Sequence, residues 1–269
     1  MPLYVTCGDH LLVAKLREAD QDASAGSVEI LARLVQHIRE RWPNVPIVVR
    51  GDSGFAREAI MAWCEAHDVF YILGLAKNSR LLARIGNAQV AACARHLLTG
   101  NAARVFTDFQ YRTLDSWSTS RHVIAKAEYL RQGFNPRFIV TNLPGDYGDN
   151  RTLYEDKYCA RGDMENRIKE QQLDLFADRT STHTLRANQL RLWFSSLAYV
   201  LVSAVRRIGL KGTRLAKATC GTIRLKLFKI GARIKTSVRR FALHLATGCP
   251  YQDVFRAALR NIQDYPLRT

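Results

Sequence analysis

Two short apolar runs, residues 46–50 and 69–75, constrain the fold of this chain more than any other sequence feature. A helix-like stretch at 55–67 separates them, and a strongly periodic helix is predicted over 27–42. Helix, strand, helix and strand at this spacing predict parallel strands in an α/β layer. Residues 2–18 predict an antiparallel hairpin around a Gly-Asp turn, so we expect the sheet to be mixed.

The pattern of apolar residues changes after position 103. Over residues 104–143 apolar and polar residues alternate, which predicts about four strands, an all-β block within the α/β frame. Helical periodicity returns over 153–175 and 185–208, and a last helix is predicted from about Asp253. The expected fold class is therefore α/β, with a mixed sheet flanked by helices, an all-β insertion and a basic helical C-terminal region.

Positive charge is concentrated in the C-terminal part of the sequence. The chain has 40 Lys and Arg against 24 Asp and Glu, a net charge of +16, and residues 179–252 hold 15 basic residues and no acidic one. Neutralising phosphates is the commonest use of such a surface, which favours a nucleic-acid partner. The alternatives are a basic surface without a partner and attraction to anionic lipid. Lipid is the weaker alternative because no sustained basic stripe runs beside an apolar one here.

Several function classes are excluded by motifs that the sequence lacks. The six cysteines form no Cys-x-x-Cys pair, which excludes a zinc ribbon and indicates reduced, mostly buried thiols in a cytoplasmic protein. The sequence contains no nucleophile elbow, Walker loop or dinucleotide-binding glycine run. The longest strongly apolar stretch, residues 192–205, is too short to span a bilayer, so we expect no membrane partner.

One acidic residue follows the first apolar run. Asp52 lies between Gly51 and Gly54, which allow the backbone to bend so that the carboxylate faces a cleft. In open α/β sheets functional groups gather where the carboxyl ends of strands meet loops. The alternative is that Asp52 only caps the helix that begins near Phe55.

A second pattern puts three useful side chains on one predicted helix face. Tyr158, Arg161 and Glu165 are spaced i, i+3 and i+7. A carboxylate can bind a divalent ion and a guanidinium can donate two hydrogen bonds to a phosphate, so this face suits phosphate and metal chemistry. Because residues 155–170 are crowded with charge, an ordinary solvated helix face is the alternative.

The order of elements and several segments resemble the DDE transposases of bacterial insertion sequences, which have a ribonuclease-H-like core. The closer resemblance is to the cut-and-paste group with a β-rich insertion before its last catalytic helix. The similar segments are 48–58 (VVRGDSGFARE), 152–181 (TLYEDKYCARGDMENRIKEQQLDLFADRTS), 187–201 (ANQLRLWFSSLAYVL) and 218–232 (ATCGTIRLKLFKIGA). Together they extend the resemblance from residue 3 to about 255.

The resemblance implies roles for individual residues. Asp52 matches the second metal-binding aspartate of the family, and Glu165 matches its third carboxylate. Tyr158 and Arg161 match the signature residues that contact DNA phosphates near the cut. These four residues are therefore the expected catalytic, metal-binding and DNA-contacting positions.

Three other positions bear on DNA contact. Gln172 occupies the position of the signature lysine, and Lys169, three residues earlier, is the nearby candidate for that phosphate contact. Trp117, in the predicted β block, is a candidate for stacking on an unpaired base, although ordinary β packing is the favoured interpretation.

The family's first catalytic aspartate has no good match in this sequence. In the family it lies on a core strand upstream of the hairpin that opens this chain. Asp9 lies in the hairpin turn and is a poor substitute, because a turn points away from the strand that should supply the ligand. We therefore expect an N-terminally truncated transposase that lacks this aspartate and the first strand.

The resemblance also implies four segments. Residues 1–103 would form the first part of a ribonuclease-H-like core and 104–143 a β-rich insertion. Residues 144–208 would complete the core, including the catalytic-Glu helix and the helix after it. Residues 209–269 would form the basic helical C-terminal region.

The implied function is cut-and-paste DNA transposition, a phosphoryl transfer on DNA ends that uses two Mg²⁺ or Mn²⁺ ions. We expect ion binding to be weakened here, because Asp52 and Glu165 alone would hold both ions. The expected partners are transposon-end DNA and a second copy or a full-length transposase, in the bacterial cytoplasm at the nucleoid. Two alternatives stay open: an inactive DNA-binding remnant that inhibits full-length transposase, and an unrelated ribonuclease-H-like nuclease.

Overall fold

A computed structural model describes residues 2–266 of the chain. The contacts between residues divide the chain into two compact units. Residues 20–162 form the unit that we call the central unit. The terminal unit joins residues 1–19 to the residues from 163 onward, so it is built from both ends of the chain.

The helices and strands alternate along the chain much as the periodicity predicts. The strands are β1 (Pro2–Cys7), β2 (His10–Leu16), β3 (Val48–Gly51), β4 (Phe70–Leu75), β5 (Ala103–Tyr111), β6 (Arg121–Leu130), β7 (Gly133–Phe134), β8 (Arg137–Thr141), β9 (Ala232–Ser237) and β10 (Arg240–Leu245). The α-helices are α1 (Ser27–Arg41), α2 (Glu58–Ala66), α3 (Ser79–Arg84), α4 (Gly86–Thr99), α5 (Asn150–Thr152), α6 (Gly162–Lys169), α7 (Leu185–Ala204), α8 (Cys220–Ile223) and α9 (Gln252–Gln263). Helical turns of 3₁₀ type include Ser53–Phe55 and Cys159–Arg161, and π-helical segments include Leu153–Tyr158 and Glu170–Asp174.

The central unit contains a mixed six-stranded sheet. The strand order is β3-β4-β8-β6-β5, and the short β7 pairs with β6. β3 and β4 are parallel, which confirms the prediction for the two apolar runs, and β8 pairs antiparallel to β4. The side chain of Asn142 extends this pairing, because it accepts a hydrogen bond from the Tyr71 N–H (2.7 Å) and donates one to the Val69 carbonyl (3.1 Å).

Neighbouring residues of β4 face two different cores, so the sheet is covered on both faces. Tyr71 and Leu73 are fully buried in the core that includes residues of α2. Ile72 is buried on the other face, in a core that includes Leu153. This two-sided burial explains why residues 69–75 form an unbroken apolar run.

The terminal unit packs the hairpin β1–β2 against α7. The Gln189 side chain accepts a hydrogen bond from the Leu16 N–H (2.6 Å) and donates one to the Ala14 carbonyl (3.1 Å). The Trp193 indole also donates to the Ala14 carbonyl (3.2 Å). These bonds satisfy backbone groups on β2 that its pairing with β1 leaves open.

A buried ion pair links further parts of the terminal unit. Arg206 lies with its Nη1 atom 3.2 Å from both carboxylate oxygens of Glu170, and the Cys220 thiol donates to Glu170 Oε2 (3.1 Å). Burial raises the pKa of Cys220 to about 12, so this thiol stays protonated at neutral pH.

The structure differs from the sequence predictions in two places. The hairpin β1–β2 forms its own two-stranded sheet, so the mixed character of the larger sheet comes from β8. The strands of residues 104–143 pair through β8 with β4 in one continuous sheet, and their assignment as a β-rich insertion stays a prediction. Residues 232–245, expected to be helical, form the hairpin β9–β10, because apolar and polar residues alternate there with a period of two. None of the helices within residues 2–266 is long and apolar enough to cross a membrane.

Candidate functional site

Asp52 directly follows β3, at the carboxyl end of a parallel strand pair. Its Oδ1 atom accepts a hydrogen bond from the Gly54 N–H (2.9 Å) and so caps the 3₁₀ turn Ser53–Phe55. The carboxylate is exposed. A carboxylate accepts several bonds, so this cap leaves the second oxygen available for a ligand. The capping role and a binding role are therefore compatible.

Gly74 on β4 allows the phenol of Tyr158 to approach this loop. A β-carbon at position 74 would collide with the Tyr158 hydroxyl oxygen and would lie 3.0 Å from the Ser53 backbone nitrogen. The Tyr158 hydroxyl therefore lies over β4, next to the backbone that follows Asp52. An isolated glycine in an apolar strand marks such close approaches, and this was the signal in the sequence that could have located the contact.

Tyr158 and Arg161 come together as their spacing predicts. The 3₁₀ turn Cys159–Arg161 has three residues per turn, which puts positions 158 and 161 on the same side. The Arg161 Cζ atom lies 5.8 Å from the centroid of the Tyr158 ring. Burial raises the pKa of the Tyr158 phenol, the Arg161 guanidinium opposes this shift, and the negative charge of Asp52 adds to it.

Arg50 fixes the segment that carries Tyr158. Its Nη1 atom donates a hydrogen bond to the Lys157 carbonyl (2.8 Å), which joins β3 to the end of the π-helical segment Leu153–Tyr158. This residue was not identified from the sequence. The partner of Arg50 is a backbone carbonyl, which every residue has. The identity of residue 157 therefore does not indicate the contact.

Glu165 and Lys169 lie on α6 in the terminal unit, and both are exposed. Asp52, Tyr158 and Arg161 belong to the central unit. The structure thus groups three of the predicted site residues within one unit.

Two candidates from the sequence are engaged elsewhere. Asp9 forms an ion pair with Arg167 inside the terminal unit. Trp117 is only 3% exposed, with its ring edge-on to Tyr111 at 5.7 Å and the Arg121 guanidinium 5.6 Å from its centroid. A base cannot stack on a buried ring, so Trp117 has the packing role that the sequence favoured, and it is no longer a candidate for DNA contact.

The donor chemistry of Asp52 is compatible with a divalent cation. Within residues 2–266 no group of three or more His, Cys, Asp or Glu side chains is arranged to hold a metal ion. Asp52 nevertheless presents an exposed carboxylate oxygen, the hard ligand that Mg²⁺ prefers.

A mixed sheet covered on both faces, with a carboxylate at the end of a parallel strand, is consistent with the class of ribonuclease-H-like DDE domains. The family model described as "Transposase DDE domain group 1" matches residues 1–267, and the chain belongs to that family. Its members are transposases, which cleave and transfer DNA and generally use divalent metal ions. A search of curated proteins found no match.

Proposed function

We propose that this chain contributes Asp52 and Glu165 to a DDE transposase site that acts on the DNA ends of an insertion sequence. The observation that carries the proposal is the grouping of Asp52, Tyr158 and Arg161 at the carboxyl end of β3. Membership in the transposase family supplies the reaction class.

Tyr158 and Arg161 suit the binding of a DNA phosphate. The raised pKa keeps the Tyr158 phenol protonated at neutral pH, so its O–H can donate a hydrogen bond. The Arg161 guanidinium can donate two parallel hydrogen bonds to phosphate oxygens. Lys169 adds an exposed positive charge on α6. These groups would hold the phosphodiester while its bond is attacked.

Asp52 and Glu165 are the residues that would hold divalent ions. Such ions, when bound, polarise the phosphate and activate the attacking water or 3′-hydroxyl. The Asp52 carboxylate at the end of β3 and the Glu165 carboxylate on α6 would hold the positive charge of these ions in place.

We further propose that this chain cleaves DNA poorly by itself and acts as a DNA-binding inhibitor of an active transposase. Asp9 is neutralised by Arg167, so it is not available as a third acidic ligand. Gln172 takes the place of the signature lysine, so the phosphate contact of that position would depend on Lys169, three residues earlier. Two carboxylates bring less negative charge to bound cations than three carboxylates do. The affinity of the site for divalent cations is therefore lower.

A metal-binding assay tests the carboxylates directly. We expect Asp52→Asn and Glu165→Gln each to weaken Mn²⁺ binding to the full chain by on the order of tenfold or more. Matched controls are Asp156→Asn and Asp163→Asn, which remove exposed acids close in sequence and should leave Mn²⁺ binding unchanged. Equal losses in the control variants would show that only the overall charge matters.

A cleavage assay tests the second part of the proposal. The full chain is incubated with duplex DNA bearing insertion-sequence ends and Mg²⁺ or Mn²⁺, alone and mixed with an active transposase of the same family. We expect negligible cleavage by the chain alone and reduced cleavage in the mixture. Strong cleavage by the chain alone that Asp52→Asn abolishes would contradict the inhibitor proposal. It would show that the chain is an active enzyme.

A further inference from the structure

The hairpin β9–β10 separates two kinds of side chain onto its two faces. One face carries the cross-strand pairs Arg233–His244, Lys235–Ala242 and Ser237–Arg240. The other face carries Ala232–Leu245, Ile234–Leu243 and Thr236–Phe241. Because directly opposed residues share a face, the register gives one basic face and one apolar face.

The charges on the basic face are exposed and uncompensated. Every residue of the two strands is exposed except Ala242, which is half-buried. In the part of the chain that the structure describes, no carboxylate pairs with Arg233, Lys235 or Arg240. The surrounding sequence, residues 179–252, contains no acidic residue. Only mobile solvent ions screen this face in the described chain, so a polyanion that displaces them can bind it.

The positive surface continues at the base of the hairpin. Lys226 and Lys229 line a cavity of about 320 Å³ there, together with residues at both hairpin ends. The Lys226 ammonium lies 5.0 Å from the centroid of the Tyr251 ring. The cavity therefore adds two lysines next to the ends of the hairpin that carries Arg233, Lys235 and Arg240.

The dimensions of the hairpin match a DNA groove. Six residues per strand span roughly 20 Å, and the basic side chains on one strand repeat every ~7 Å. The major groove of B-DNA is about 12 Å wide and accepts a two-stranded ribbon. A ribbon of this kind places its charges within reach of the phosphates on both sides of the groove.

We propose that the basic face of β9–β10 binds duplex DNA in the major groove. Arg233, Lys235 and Arg240 contact the DNA phosphates. This inference rests on the proposed function for its choice of DNA over other polyanions. It adds to that function a DNA-binding element far along the sequence from Asp52 and Glu165.

The test measures the affinity of the full chain for duplex DNA by fluorescence anisotropy at salt concentrations from about 50 to about 200 mM. Over this range proteins that contact DNA phosphates lose much of their affinity. We expect the triple variant R233A/K235A/R240A to lower the slope of log affinity against log salt by about 2.7, since each phosphate contact contributes ~0.9. The conservative variant R233K/K235R/R240K keeps the charges and should keep the slope.

Two matched controls separate the basic face from other effects. R33A/R41A/R131A removes three exposed arginines of the central unit and should not change the slope by a comparable amount. I234T/F241T/L243T alters the opposite face of the same hairpin and should leave DNA binding in place. Equal losses from the two alanine triples, or loss only from the apolar-face variant, would overturn the proposal.

An anionic lipid surface is the competing occupant, because the hairpin does have an apolar face beside a basic one, which the sequence did not indicate. Binding to vesicles of phosphatidylserine and phosphatidylcholine that exceeds DNA binding, and that needs Ile234 and Phe241, would also overturn the proposal. Failure of the metal and cleavage assays would affect Asp52 and Glu165 but leave the DNA-binding readout intact. The two proposals can therefore fail separately.

Discussion

Gly74 is the residue on which the geometry around Asp52 depends most directly. Its missing side chain makes room for the Tyr158 hydroxyl and for the backbone of Ser53. The surrounding core is closely packed, so these atoms have little space in which to move aside. Adding a single methyl group at position 74 tests whether the space between β4, Tyr158 and Ser53 can accept a side chain.

We expect Gly74→Ala to lower the free energy of unfolding by about 1–3 kcal/mol, the usual cost of overpacking a core. The measurement is urea denaturation followed by intrinsic fluorescence. Gly86→Ala is the matched control, because an added β-carbon there meets no atom within 4 Å and residue 86 is helical. Equal destabilisation by both substitutions would show that Gly74 has no special packing role.

At this scale the sequence predicted some contacts well. Asp52 was placed at a strand end from the apolar run before it, and Tyr158 and Arg161 were placed on one face from their spacing. The contact of Arg50 with the Lys157 carbonyl could not be predicted, because a backbone acceptor 107 residues away leaves no mark in the sequence. Trp117 was ambiguous because an aromatic residue suits both a core and a base-stacking surface.

At the scale of elements, Arg121 joins β6 to α2. Its side chain is 3% exposed, and it donates to Glu58 Oε2 (2.6 Å) and Glu65 Oε1 (2.7 Å). The Tyr71 hydroxyl also donates to Glu65 Oε1 (2.7 Å). Burial raises the pKa of both carboxyls, but the hydrogen bonds from Arg121, those from Ser118 to Glu58 and from Tyr71 to Glu65, and the charge of Arg121 together outweigh it and hold each pKa below its ordinary value.

We expect Arg121→Met to cost about 2–4 kcal/mol at pH 7, because it leaves two partly buried carboxylates without their cation. Since both folded-state pKa values lie below the unfolded value of 4.5, the stabilisation is complete above that pH and is lost as the pH falls through the folded values. The difference between the variant and the original chain should therefore shrink in acid.

Thermal unfolding at pH 7 and at steps from pH 4.5 down to about pH 2 measures this difference. Arg151→Met is the control, since its pair with Glu155 joins an exposed arginine to a neighbour four residues along the helix. Such a pair contributes at most about 0.5 kcal/mol. A pH-independent cost for Arg121→Met would contradict the electrostatic explanation.

The sequence predicted most elements because their periodicities are strong. It failed at residues 232–245, where a short basic stretch between two helices was grouped with them. The alternation of Arg233, Ile234, Lys235 and Thr236 is a strand pattern, but it extends over one short segment. Short segments of this kind are where helix and strand are hardest to distinguish by periodicity.

At the scale of the whole molecule, the division into two units was not visible in the sequence. The terminal unit depends on residues 1–19, which pack against α7 through Gln189 and Trp193. The central unit is a continuous segment with its own cores on both faces of its sheet. Contacts between distant segments leave no local pattern, so composition and periodicity could not locate these boundaries.

We expect the fragment 20–162 to unfold cooperatively by itself and the fragment 163–269 to fold only when a peptide of residues 1–19 is added. The reason is that the second fragment lacks the strands that cover α7. Circular dichroism and thermal unfolding of both fragments provide the measurement. Cooperative unfolding of 163–269 without the peptide would contradict this dependence.

The hydrogen bonds of Gln189 to β2 also set an order of events during translation. Residues 14 and 16 are synthesised before their partner on α7, which emerges 173 or more residues later. The α7-facing side of the nascent hairpin therefore stays uncovered while the intervening segment is synthesised and can already fold. Until the C-terminal helices leave the exit tunnel, we expect these two strands to be a site at which the unfinished chain can aggregate.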